Sequence, residues 1–109
     1  MKLIISVVQD TDANRLLNAL MKEGHRATKL ASTGGFLREG NTTFLIGVED
    51  EKVDDVLQII EKTCRSRTQV VTPATPLGGA PGAYASFPVE VVVGGATVFV
   101  VNVERFEKL

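Results

Sequence analysis

Tryptophan is absent from this sequence, and histidine, cysteine and tyrosine occur once each, as His25, Cys64 and Tyr84. A lone cysteine cannot close an internal disulfide, which agrees with a reducing compartment. One His with one Cys falls well short of the roughly four ligands a dedicated zinc site uses. No run of about 18 apolar residues is present and no charged-then-apolar leader opens the chain, so it reads as soluble and cytoplasmic, without membrane insertion. Charge of one sign is not in excess either. The net charge of −1 is too small for the broad basic surface that sequence-independent nucleic-acid binding needs. No Ser-His-Asp spacing, metal-ligand cluster or P-loop pattern offers a catalytic centre, so the expectation is a non-enzyme without a cofactor. What is there is 109 residues, 44% of them apolar, enough for one modest core and one domain spanning 1–109.

The apolar spacing predicts two β-α-β halves. Lys2 to Val8 reads as a strand rich in β-branched residues. Asp10, Thr11 and Asp12 offer helix N-caps, Ala13, Leu16, Leu17, Leu20 and Met21 recur at helical spacing, and Gly24 stands at the C′ place. A second strand is expected from about His25 to Ser32 and a third from Thr42 to Val48. Glu49, Asp50 and Glu51 put negative charge at the start of a second helix, where the macrodipole favours it. Val53, Val56, Leu57 and Ile60 form its stripe, with Cys64 a turn beyond. After an extended stretch to Val71, Pro73, Pro76, Gly78, Gly79, Pro81 and Gly82 crowd together and Pro88 closes the segment. Val89–Val93 and Ala96–Val103 then predict a hairpin across Gly94-Gly95. The fold class is therefore α+β, a ferredoxin-like β-α-β-β-α-β sandwich with an extra C-terminal strand. Two helices cover one sheet face, yet VEVVVGGATVFVV is apolar on both of its faces. Self-association is the expected cover for the second.

The richest stretch is RATKLASTGGFLREGNTTFLIG. Strand alternation sets Arg26 beside Thr28, a guanidinium next to a hydroxyl. Gly34 and Gly35 can present consecutive backbone N–H groups to anionic oxygens. Phe36 and Leu37 either plug the loop or stack on a flat ligand. Arg38 is a second cation or a solvated loop charge. Asn41 has a carboxamide able to read an adenine edge, and Gly47 leaves its backbone open to a base. Singly, each residue has a plain structural reading. Together they form a nucleotide-binding constellation.

ATKLASTGGFLREGNTTFLIGVED, VTPATPLGG and PVEVVVGGATVFVV together resemble the PII-like cyclic di-AMP receptor proteins, over essentially the whole chain. The resemblance implies a PII-like homotrimer that binds cyclic di-AMP in clefts between subunits and is not an enzyme. It implies a phosphate contact at Arg26 and loop N–H groups at Gly35 and Phe36. It further implies an adenine wall from Phe36 and Leu37, edge contacts from Thr28, Asn41 and Gly47, and a lining residue in the neighbour's Phe99. Position 108 is Lys108, where the family pattern would have an uncharged amide. Ligand binding would order the loops at 33–41 and 72–88 and so signal to a partner protein. Three other readings are open to test: a small enzyme, an RNA-recognition module, and a PII-type sensor of another adenine nucleotide such as ATP. The RNA module needs exposed aromatics and a basic face, for which Phe44 and Phe99 are the only candidates.

Overall fold

The structure is a computed structural model that describes residues 1–31, 40–71, 75–76, 84–85 and 88–109. Strand β1 (Lys2–Gln9) leads directly into helix α1 (Asp10–Lys22), followed by β2 (Ala27–Ala31) and β3 (Asn41–Val48). A single 3-10 turn at Asp50–Lys52 precedes α2 (Val53–Cys64). The chain continues through β4 (Arg67–Val71), the two-residue strands β5 (Thr75–Pro76) and β6 (Tyr84–Ala85), then β7 (Val89–Val93) and β8 (Ala96–Asn102). Gly35, Phe36, Leu37 and Arg38, with most of both predicted loops, lie outside the described residues.

The main sheet has the order β2-β3-β1-β8, and all of its pairings are antiparallel. Both helices pack on one face. The architecture is α+β and compatible with a small ferredoxin-like fold. Ile4, Ser6 and Val8 of β1 point into the helical layer, beside Phe44, Ile46 and Thr42 of β3. Leu16 and Leu20 of α1 and Val56 and Ile60 of α2 meet them in the core. Of the helix stripes read from spacing, Ala13, Leu16, Leu20, Val56 and Ile60 are buried, Leu17, Val53 and Leu57 are half-buried, and Met21 is exposed. Gly24 ends α1 with φ +81°, while Gly24 N–H donates to Met21 O and His25 N–H to Leu20 O. This Schellman arrangement satisfies carbonyls that the last turn leaves open.

Three expectations need correction. Asp10, Thr11 and Asp12 do not cap α1, because the helix begins at Asp10 and its N-cap residue is Gln9. Asp10 instead accepts from the Thr42 hydroxyl at 2.5 Å, and Asp12 serves a buried ion pair described below. Second, Val89–Val93 and Ala96–Asn102 do not pair with each other. β7 pairs with β4 in a separate two-stranded ribbon, whereas β8 pairs with β1. Gly94 and Gly95 have the positive φ of a hairpin turn, +83° and +94°, but they carry the chain from one sheet to another. Third, the fourth place in the main sheet belongs to the C-terminal strand and not to the strand that follows α2. Spacing alone could not separate these pairings, since both candidates are short valine-rich runs.

Candidate functional site

Strand alternation gives the main sheet a second face that no helix covers. Leu3, Ile5 and Val7 of β1 lie on it, opposite Gly47, Leu45 and Thr43 of β3 and Val101, Phe99 and Thr97 of β8. β2 contributes Thr28 opposite Leu45 and Leu30 opposite Thr43. Lys29, one residue out of phase, turns the other way and donates to Asn14 of α1 at 3.2 Å. The open face is thus apolar at its centre and hydroxyl-bearing along its edge. Leu30, Phe99 and Val101 are exposed on it, Phe99 at 55%.

Every described residue of the predicted site falls on this face or at its rim. Thr28, Gly47 and Phe99 are on it by register, as is Asn41, paired with Gln9. Arg26 precedes β2, and one further step of the β2–β3 register sets it opposite Gly47. Arg26 and Gly47 also line one groove of about 790 Å³ that continues between the two helices. Gly47 has ordinary backbone geometry, and a Cβ there would meet only Met1 Cε, at 3.9 Å. Its openness is a fact of the surface and not a conformational need.

The residues are nevertheless spread out. Asn41 and Gly47 sit at opposite ends of β3, roughly 20 Å apart at strand rise. Thr28 and Phe99 share one cross-strand row with Leu45 and Ile5 between them, so about 14 Å separates their backbones. Within one protomer, Arg26, Thr28 and Gly47 come together, whereas Asn41 and Phe99 lie apart from them. Gly35, Phe36 and Leu37 are outside the described residues.

Sequence reasoning missed a second polar cluster at the base of the ribbon. The Asp12 side chain is 1% exposed and accepts from Arg15 Nη2 at 2.7 Å and Arg67 Nη2 at 2.9 Å. Arg67 Nη1 also donates to Arg65 O at 3.1 Å, and Arg15 Nη2 to Thr63 O at 2.8 Å. Asp12 holds the Arg67 guanidinium further above its ordinary pKa, chiefly through their hydrogen bond. Gly94 is where this cluster leaves no room, since a Cβ would stand 2.5 Å from Arg67 Nη1 and 2.6 Å from Arg65 O. Its N–H donates to Gln9 Oε1 at 2.7 Å, while Gly95 N–H donates to Cys64 O. Beneath lies the buried Cys64, whose thiol is pushed up to about 11, first by burial and then by the nearby Asp12 charge. The i,i+3 spacing of Asp12 and Arg15 was a signal for half of this cluster, but nothing local pointed to Arg67, which is far away in sequence. Among the described residues no group of His, Cys, Asp and Glu could hold a metal ion, and no helix is long and apolar enough to cross a membrane.

Two comparisons bear on the site. The family described as "Cyclic-di-AMP receptor" matches residues 1–109. Among solved structures, the chain is similar to the crystal structure of a functionally unknown protein from Pediococcus pentosaceus ATCC 25745. Identity is 46%, the TM-score is 0.80, and the match covers 99% of this chain and 96% of that one.

Proposed function

The chain belongs to the cyclic-di-AMP receptor family, and from that premise we propose that it binds cyclic di-AMP at the open sheet face, where copies of a homotrimer meet. The family is one of receptors and not of enzymes. Arg26 grips a phosphate, with Gly35 and Phe36 adding backbone donors. Phe36 and Leu37 wall one adenine, and Thr28, Asn41 and Gly47 address adenine edges. Because Asn41 and Gly47 stand roughly 20 Å apart on one strand, they suit the two ends of a two-base ligand better than one ring. The adenines need no cofactor for this recognition.

The observation that carries the reading is the position of Phe99. It is 55% exposed and about 14 Å across the sheet from Thr28, too far to wall a ring held by Thr28 of its own protomer. Phe99 of a neighbouring copy has no such restriction. The valines that the ribbon leaves exposed favour the same assembly, because a face of that kind is usually covered by another chain. Ligand binding at the junction would then order the loops at 33–41 and 72–88 and alter the surface shown to a partner protein.

Calorimetric titration with cyclic di-AMP, cyclic di-GMP and ATP side by side tests this, with sedimentation of the same samples. Heat with cyclic di-AMP alone, from a trimer, is the expected result. A chain that stays monomeric at micromolar concentration, or gives no heat with cyclic di-AMP, overturns the proposal. Heat with ATP alone would instead favour a sensor of that nucleotide.

A further inference from the structure

The cluster at the ribbon base forms one wall of an open cleft of about 360 Å³, lined by Arg15, Lys62, Thr63, Arg65 and Arg67. Four cations meet there, and two of them, Arg15 and Arg67, share the Asp12 carboxylate. Cys64 adds no charge near neutrality, since burial keeps its thiol protonated. The balance is about three positive charges in a small volume, on a chain whose overall charge is −1.

That charge is held in place rather than loose. Asp12 fixes one side of both the Arg15 and the Arg67 guanidinium, so neither group must be ordered again when a ligand arrives. The cations also have donors to spare. Arg15 uses only Nη2 in its described bonds, which leaves Nε and Nη1, and Arg67 keeps Nε. Lys62 and Arg65 have no ion pair among the described residues. At the end of α2, Gly95 N–H serves Cys64 O and Arg15 Nη2 serves Thr63 O, so neither carbonyl calls on the donors left over. Thr63 adds a hydroxyl.

We propose that this cleft is an anion site for a compact phosphate or diphosphate group, separate from the open sheet face. A single carboxylate would neutralise only one of three charges. A tetrahedral group with two or three negative charges matches both the count and the forked guanidinium donors. The cleft touches α1, the end of α2 and the first residue of β4, so an occupant ties the helical layer to the ribbon base. It would give the protein a second input beside the dinucleotide.

The test is an amide NMR titration of the full chain with pyrophosphate, then with inorganic phosphate, at fixed ionic strength. Shifts centred on Thr63, Arg65 and Arg67 are expected, with pyrophosphate the tighter ligand. The variant Arg65→Gln, at an exposed position, should weaken pyrophosphate by about tenfold and leave cyclic di-AMP binding unchanged. Arg26→Ala should do the reverse, so failure here is distinguishable from failure of the dinucleotide reading. Equal shifts with chloride at the same ionic strength overturn the site. So does an unmoved cleft, which would mean that another copy's surface already fills it.

Discussion

Sandwich and ribbon are built from the same kind of residue and treat it in opposite ways. In the sandwich Val8 is 1% and Val56 0% exposed, whereas in the ribbon Val70 is 60% and Val92 70% exposed. Both faces of the ribbon are affected, since Val71, Val89, Val91 and Val93 share one and Val70 and Val92 the other. Shape follows. The Cα radius of gyration is 18.4 Å, against about 13 Å for a compact domain of this length. The sandwich closes a core between its sheet and helices, while the ribbon leaves its valines exposed among the described residues. Burying one such valine is worth about 1.5–3 kcal/mol, so the proposed assembly would gain most where it covers the ribbon.

The most forceful way to break the comparison is a pair of substitutions. Phe44→Ala should cost about 3–5 kcal/mol in denaturant unfolding, because Phe44 is fully buried between sheet and helices. Val92→Ser should change the stability of the protomer by no more than about 0.5 kcal/mol yet weaken assembly in sedimentation. Equal losses from both, in a sample that stays monomeric, would erase the distinction.

Next comes the tie between the two regions. Asp12→Ala strips the shared carboxylate from Arg15 and Arg67, and removing one partner of a buried pair costs about 3–5 kcal/mol. Both arginines are partly exposed, so the charges left behind stay solvated and a smaller loss, about 1–2 kcal/mol, is expected in thermal unfolding. Hydrogen exchange should also show β4 and β7 opening more readily than β1. Unchanged ribbon protection would mean that the ribbon stands without its anchor.

Smaller effects should follow from the open face. Arg26→Ala and Asn41→Ala should each weaken cyclic di-AMP by about tenfold or more in calorimetry without disturbing assembly, the inverse of Val92→Ser. Dissociation in either variant would move that residue from ligand contact to scaffold. The last effect, confined to alkaline pH, belongs to Cys64. Its thiol is raised from 9.0 to about 11, so above pH 9 the unfolded chain releases a proton that the folded chain keeps. Stability should therefore fall as pH rises from about 9 to about 11. Thiol-reagent kinetics should show slow modification at pH 8 that accelerates only with unfolding.

Much of the sandwich was legible because its signals are local. The helix stripes, the Schellman glycine at Gly24 and the alternation that sets Thr28 apart from Lys29 all depend on neighbours a few residues away. The open face was legible only in part: alternation set Arg26 and Thr28 together, but Asn41 was expected in the loop, whereas it is the first residue of β3. Pairing was not legible. Whether Val89–Val93 joins Ala96–Asn102 or Arg67–Val71 depends on contacts that no local pattern encodes, and Gly94-Gly95 suits a turn of either kind. Asp12 was hidden for the same reason. At a helix start it reads as a cap, and only the fold brings Arg67 across Gly94 to claim it.

One consequence concerns how the chain is made. β1 is central in its sheet, and its outer neighbour is β8, with Lys2 paired to Asn102 and Leu3 to Val101. A nascent chain emerging from the ribosome can assemble β1, both helices and the β2–β3 pair early, but it must carry one bare edge of β1 until β8 is free. Such end-to-end pairing closes slowly, and an open apolar edge invites the wrong partner while it waits. The β1–β8 amides are expected to gain protection last in pulse-labelled refolding. Protection there as early as in β3 would show that the sheet closes by another route.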